Sequence, residues 1–291
     1  MNTQISSFAM SLFLGFLSLA YGLPIFAQAP VAVTTSVNAG LVIDAAGPEQ
    51  RRSLGAIYLI KCPNVASGSG FLLDTGIIVT NVHVVATCTE QNLVGISTAN
   101  KPVKFSRIIR DAGRDIALLV PAEKLPGGLK LAVKDTPVPG TSVSTWGYPF
   151  LYNGISPLLS VGYVSGYRED TSSGKAVKHI IVNGAFNHGN SGGPLLISHD
   201  NEVIGVVVLT FNFYPNEVKQ AIDVLMNQKG WGVMSGMVTH PDGSKEQVSE
   251  AYLTALVLDE FYQKTQVMIG EAVAGSEVAT VIKEHSSDLQ K

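Results

Sequence analysis

The sequence predicts an all-β fold of the sandwich or barrel kind, followed by a C-terminal amphipathic helix. Three observations carry this reading. From Ser53 to about Phe213 the chain is a succession of short apolar runs, rich in Val, Ile and Leu and bounded by Gly, Pro, Asn or Asp, as expected of strands and turns. Helical periodicity is weak throughout that stretch. Beyond Pro215 the pattern changes to longer segments with helical spacing.

In chain order the strand-length runs are Ala56–Lys61, Gly70–Leu73, Ile77–Thr80, Ile116–Val120, Ser142–Trp146, Leu159–Val164, Val177–Val182 and Val203–Thr210. Leu125 to Pro139, with its Pro and Gly residues, reads as a connection between two β halves at about 53–125 and 135–215. After Pro215, Glu217–Gln228 is expected to be helical and Gly230–Gly243 a loop. Val248, Tyr252, Ala255, Leu258, Tyr262, Ile269 and Val273 then recur at three, four or seven residues, which predicts a helix from Lys245 to about Ala274, weakened at Gly270. An apolar stripe of that kind has to be covered. Docking on the chain's own barrel is the expectation, and self-association through this helix is the alternative. The domain plan is therefore residues 53–230 as the β domain and 231–291 as a helical extension.

The chain has 291 residues, enough for one large or two medium domains with a hydrophobic core. Apolar residues make up 46% and charged residues 15%, which argues against a disordered or fibrous protein. A net charge of −3 supplies no positive field, so nucleic acid is not an expected partner.

The first charged side chain is Asp44. Ahead of it, apolar Phe8–Ala20 is followed by the Gly22 and Pro24 breakers and the small residues Ala27-Gln28-Ala29. That order predicts a secretory signal peptide over residues 1–29 and an exported protein, periplasmic or extracellular. No membrane span is expected to remain after cleavage, and residues 30–52 form an N-terminal arm. Cys62 and Cys88 are an even pair in such a chain, open to one disulfide or to two reduced core thiols. Neither has a second Cys or His at ligand spacing, so no metal is expected, and no cofactor motif stands out.

Chemistry concentrates in three segments. Gly189-Asn190-Ser191-Gly192-Gly193-Pro194 surrounds a serine with glycines, which let backbone N–H groups turn inward and a substrate backbone come close. A serine hydroxyl is a poor nucleophile without a base to take its proton and donors to hold the oxyanion. Thr80-Asn81-Val82-His83-Val84-Val85 places a histidine at the end of an apolar run, and Arg114-Asp115-Ile116-Ala117-Leu118-Leu119 an aspartate directly before one. His83, Asp115 and Ser191 occur in that order, 32 and 76 residues apart.

With these segments the sequence resembles the trypsin-like serine proteases, and within them the Deg/HtrA-type branch. The matching stretches are Gly68-Ser69-Gly70-Phe71, Thr80–Val85, Asp115–Leu119, Gly147-Tyr148-Pro149, Gly162-Tyr163-Val164-Ser165 and Asn187–Leu195, covering about residues 55 to 210. The resemblance implies two six-stranded antiparallel barrels with the active site in the cleft between them. It implies a serine endopeptidase acting on protein or peptide substrates, with His83, Asp115 and Ser191 as the triad and the N–H groups of Gly189 and Ser191 as the oxyanion hole. It also implies a specificity pocket lined by Ala185, Phe186, Val208 and Thr210. No charged side chain occurs among these four, which suggests an apolar residue before the scissile bond. A disulfide between Cys62 and Cys88 would bracket His83, as bridges do in secreted trypsin-like enzymes, although the spacing differs. Asn190 stands where digestive-type trypsins carry the aspartate that pairs with a newly cut N-terminus. Its neutral amide cannot make that ion pair.

In two respects the sequence departs from alternatives. Residues after the protease region number about 60 to 70, too few for the PDZ domain of about 90 residues usual in this branch. Gly189–Gly193 also satisfies the G-x-S-x-G elbow of α/β-hydrolases, with Asp259 and His285 following, but Pro194 and a strand–turn–strand pattern replace the helix that elbow needs. A non-catalytic peptide-binding or chaperone-like protein on the same barrels is the remaining alternative.

Overall fold

The computed structural model describes residues 46–62, 67–132, 136–149, 156–186, 189–208, 216–228, 234–239, 243–264 and 269–289, all within one compact unit, Thr35–Lys291. The expected signal segment, residues 1–29, lies outside the described residues.

The first half opens with helix α1 (Pro48–Gly55), which has proline in its first turn, where a missing N–H costs nothing. The expected arm, residues 30–52, thus ends inside a helix rather than before the domain. Seven strands follow: β1 (Ile57–Lys61), β2 (Ser67–Leu72), β3 (Ile78–Thr80), β4 (Val94–Ser97), β5 (Pro102–Val103), β6 (Phe105–Asp111) and β7 (Ile116–Pro121). They form one antiparallel sheet in the order β5-β4-β1-β2-β3-β7-β6. The sheet's two edges, β5 and β6, are separated in the chain only by Lys104. The segment bends there, pairing with β4 on one side and β7 on the other. Taken as one bent strand it brings the ring to six, the size of the expected first barrel. The ladder breaks at the bend, and a sheet of seven results.

The second half is a closed six-stranded barrel, in the order β10-β15-β12-β11-β8-β9. Its strands are β8 (Ser142–Gly147), β9 (Leu158–Asp170), β10 (Val177–Gly184), β11 (Pro194–Ile197), β12 (Val203–Val208) and β15 (Gly270–Ala274). Closure abolishes free edges. The double-barrel fold expected from the sequence is the one found.

The expected helix, Lys245 to about Ala274, is helical only over Glu250–Lys264, with strands at Lys245–Ser249 and Gly270–Ala274. Gly270–Ala274 was expected as the end of a helix; it pairs instead with β10 (Ile180↔Ala272) and β12 (Val206↔Val273). Every residue of it is buried, so it shows no alternation to distinguish it from a buried helical turn. The barrel therefore draws on residues beyond 230, and residues 231–291 are not a helical extension. Between β12 and β15 lie α2 (Asn216–Met226), the hairpin β13–β14 (Met234–Thr239 with Lys245–Ser249) and α3 (Glu250–Lys264). Strand β13 replaces part of the expected loop 230–243. Helix α3 buries Ala255 but leaves Val257, Leu258 and Phe261 exposed, so its apolar face is not wholly docked.

After β15 the chain runs into α4 (Gly275–Glu284) and the short α5 (Ser286–Leu289). Val278 and Val281 of α4 are fully buried in the same cluster as Ile116, Leu118, Val203 and Val273. Burial of each is worth about 1.5–3 kcal/mol, and it fastens α4 across both halves of the molecule.

Cys62, at the end of β1, and Cys88 are joined in a disulfide with Cα atoms 5.7 Å apart. On the chain-entropy account a loop of 26 residues stabilises by about 3 kcal/mol. Denatured, unreduced protein is expected to resist alkylation at both cysteines and to take two equivalents after reduction, as read by intact mass. Two labels without reduction would make them ordinary core thiols.

Candidate active site

His83 is delivered by a single 3-10 turn, His83–Val85, just after β3, not by the strand itself as the sequence suggested. Val84 and Val85 anchor the turn in the core, and Arg110 Nη2 donates to the carbonyls of Val85 (3.0 Å) and Cys88 (2.6 Å). The imidazole itself is exposed, at 44% of its side-chain area.

Asp115 ends the turn between β6 and β7. It sits at φ 53°, a left-handed conformation that aspartate tolerates better than most residues. Its carboxylate meets His83 twice: Oδ2 lies 2.7 Å from Nδ1, and Oδ1 accepts from the His83 backbone N–H at 3.0 Å. Its carbonyl accepts from the buried Asn81 side chain at 2.9 Å and from the Val82 N–H at 3.3 Å. Asn81 and Val82, the two residues between β3 and the His83 turn, are thereby fixed to the aspartate.

Ser191 comes from the other half, in the loop before β11. Gly189 and Gly192 flank it at φ 97° and 84°, values that β-carbon-bearing residues seldom adopt. The loop is tied down at each residue. The Gly192 N–H donates to the Val207 carbonyl at 2.8 Å, and the Gly193 N–H to the Asn190 carbonyl at 2.9 Å. Ser69, fully buried on β2, holds the rest: its N–H donates to the Ser191 carbonyl (2.8 Å) and its hydroxyl to the Gly189 carbonyl (2.6 Å). That hydroxyl also accepts from the Tyr148 N–H at 3.0 Å, and the Ser69 carbonyl accepts from Thr80. Ser69 was legible only as part of a matching stretch; nothing in its local pattern revealed that it spans the two halves. Among the described residues nothing accepts from the backbone N–H groups of Gly189 and Ser191. The Ser191 hydroxyl, buried in a residue 3% exposed, has no hydrogen-bond partner there either.

The expected pocket residues divide. Ala185 and Val208 are partly exposed. Phe186 is 2% exposed and belongs to the core of the second barrel, its ring stacked where a β-carbon on Gly270 would clash. So enclosed, the Phe186 side chain packs inside the second barrel. Thr210 lies outside the described residues. Asn190 is fully buried, and neither atom of its amide finds a partner among the described residues.

The chain is similar to known proteins in sequence and in fold. The family model described as trypsin-like peptidase domain matches residues 68–206, which span His83, Asp115 and Ser191. The matched segment is just under half of the chain. The relatives to which the chain is similar include Do-like and HTRA serine proteases. Protease Do-like 1, chloroplastic, of Arabidopsis thaliana is 34% identical over 165 residues, 54% of this chain and 36% of that protein. Serine protease HTRA1A of Danio rerio is 34% identical over 163 residues, 53% of this chain and 32% of the relative. The chain thus spans about a third of the length of the curated relatives it matches. The Rv3671c protease of M. tuberculosis in its active form superimposes with a TM-score of 0.54 at 18% identity, over 81% of this chain and 83% of that one. At that identity the likeness speaks for the double-barrel fold alone.

Proposed function

We propose that the chain is an exported serine endopeptidase that cleaves protein substrates through an acyl-enzyme. The observation that carries this reading is the two-point grip of Asp115 on His83, at Nδ1 and at the backbone N–H. A carboxylate held on Nδ1 leaves Nε2 as the free nitrogen of the ring, the tautomer a general base needs.

In this reading Ser191 attacks the scissile carbonyl while His83 takes its proton. The tetrahedral oxyanion is held by the N–H groups of Gly189 and Ser191, which no described group occupies. His83 returns the proton to the leaving amine, and water then releases the acyl group by the same steps in reverse order. Asp115 keeps the tautomer and stabilises the imidazolium. The Ser191–His83 hydrogen bond belongs to the substrate-bound state, because such contacts often tighten only there. Ala185 and Val208 favour an apolar residue before the cleaved bond. Asn190 fits a loop that needs no new N-terminus for its shape: an aspartate in that sealed position would be a buried charge demanding a partner. Export agrees with the disulfide. Among the described residues, no helix is long and apolar enough to cross a membrane.

The unpartnered Ser191 hydroxyl is the observation favouring the alternative, a peptide-binding protein on the same barrels. Incubation with denatured casein separates the two. Release of peptides, stopped by prior treatment with a fluorophosphonate, supports the protease; casein retained intact on the folded protein supports the binder.

A further inference from the structure

The residue before Asp115 carries a contact that the triad reading does not use. Arg114 is nearly buried, with 10% of its side chain exposed, and faces three carboxylates. Its Nη1 lies 2.5 Å from Oδ2 of Asp111, across the same turn, and its own N–H donates to Asp111 Oδ1 at 3.0 Å. Its Nε donates to Glu277 at 2.9 Å, and its Nη1 and Nη2 donate to the two oxygens of Glu284 at 3.0 and 3.3 Å. Glu277 and Glu284 belong to α4, 163 and 170 residues away in sequence. Glu277 also accepts from the backbone N–H of Lys178 on β10, at 3.2 Å. Lys175 adds a fifth charge, 3.5 Å from Asp111.

The location gives this cluster its meaning. His83 and Asp115 stand on the first sheet and Ser191 on the second barrel. Arg114 belongs to the first; α4 continues directly from β15, and Lys178 lies on β10, both in the second. The fork geometry of the guanidinium suits it to hold several carboxylates in fixed directions. Burial works against the charges of both Arg114 and Asp111. Hydrogen bonds from Glu284, Asp111 and Glu277 prevail at Arg114 and hold it above its usual range, while the hydrogen bonds and charge of Arg114, with the charge of Lys175, hold the Asp111 carboxyl below its own.

We propose that Arg114 is a positioning residue that ties the Asp115 turn to helix α4 and strand β10, holding the His83–Asp115 half of the triad in register with Ser191. The proposal rests on the triad reading above. It assigns α4 a part in catalysis through position alone. A shift on the order of 1 Å between reacting groups costs about a hundredfold in rate, so loosening this tie acts on turnover rather than on binding.

The test measures kcat and KM of the full chain for a peptide substrate, per active site counted by fluorophosphonate titration, at a temperature well below each variant's melting point. Arg114→Gln is expected to lower per-site kcat about tenfold to a hundredfold with KM within about twofold. Arg114→Lys, which keeps the charge but loses the fork, should recover part of that loss. Glu277→Gln should lower kcat in the wild-type background and change it little in the Arg114→Gln background, as members of one unit do. If Arg114→Gln does not fold, the comparison rests on Arg114→Lys and Glu277→Gln. Folded variants with wild-type per-site kcat, losses confined to the fraction of titratable sites, or additive losses in the double variant would each overturn the tie. Wild type that neither titrates nor turns over would instead overturn the protease reading itself.

Discussion

Ser191→Ala, His83→Ala and the double variant are expected to hydrolyse a peptide substrate equally slowly, about a millionfold below wild type in kcat. The equality matters more than the size. If Ser191 and His83 act in one proton-transfer unit, removing either leaves the other with nothing to do, so the losses do not add. The residual rate would come from binding and from the Gly189 and Ser191 N–H groups, which Ser191→Ala keeps. All three variants should retain the wild-type melting profile within a few degrees, since the serine hydroxyl has no described partner and 44% of the His83 side-chain area is exposed. Additive losses would mean that the two residues do not share a step.

The second large effect is expected at Gly192, where alanine should leave little folded or active protein. Gly192 combines a left-handed φ of 84° with a site in which an added β-carbon would overlap the Ser69 carbonyl oxygen and the Thr80 hydroxyl. Neither neighbour can step aside cheaply. Ser69 holds Gly189, Ser191 and Tyr148 at once, and Thr80 is bonded to Ser69. Positive φ in a residue with a β-carbon costs on the order of 1–3 kcal/mol, and the steric term adds to it. Alanine at Gly140, also at positive φ (90°) but with open space around it, should cost only the backbone share. Thermal melting of the two variants separates the steric part from the conformational part. A Gly192→Ala protein as stable as Gly140→Ala would show that the Ser69 hub yields easily.

What the sequence revealed follows from how local each signal is. The strands of the first sheet were readable where they carry Val, Ile or Leu in unbroken runs, as in Ile116–Val120. Strand β4, Val-Gly-Ile-Ser, and the two residues of β5 are too short and too mixed to stand out. His83, Asp115 and Ser191 were legible because each lies in a short motif fixed by its own neighbours. The roles of Ser69 and Arg114 were not, since the contacts that join the two halves, Ser69 to Gly189 and Arg114 to Glu277 and Glu284, span 120 and 163 or more residues and no local pattern records them. Strand β15 misled for a different reason. Gly-Glu-Ala-Val-Ala has helix-favouring composition, and Ile269 and Val273 fall on the helical spacing of the segment before it. Only pairing with β10 and β12 settles its conformation, an instance of tertiary context overriding local preference.

An activated nucleophile at Ser191 is open to chemical labelling. Folded wild-type protein is treated with a fluorophosphonate, digested, and the modified residue located by mass spectrometry. A single phosphonyl group is expected on Ser191, absent when the protein is unfolded before treatment and absent in His83→Ala. Labelling of another serine, or labelling of Ser191 that survives the loss of His83, would contradict that expectation.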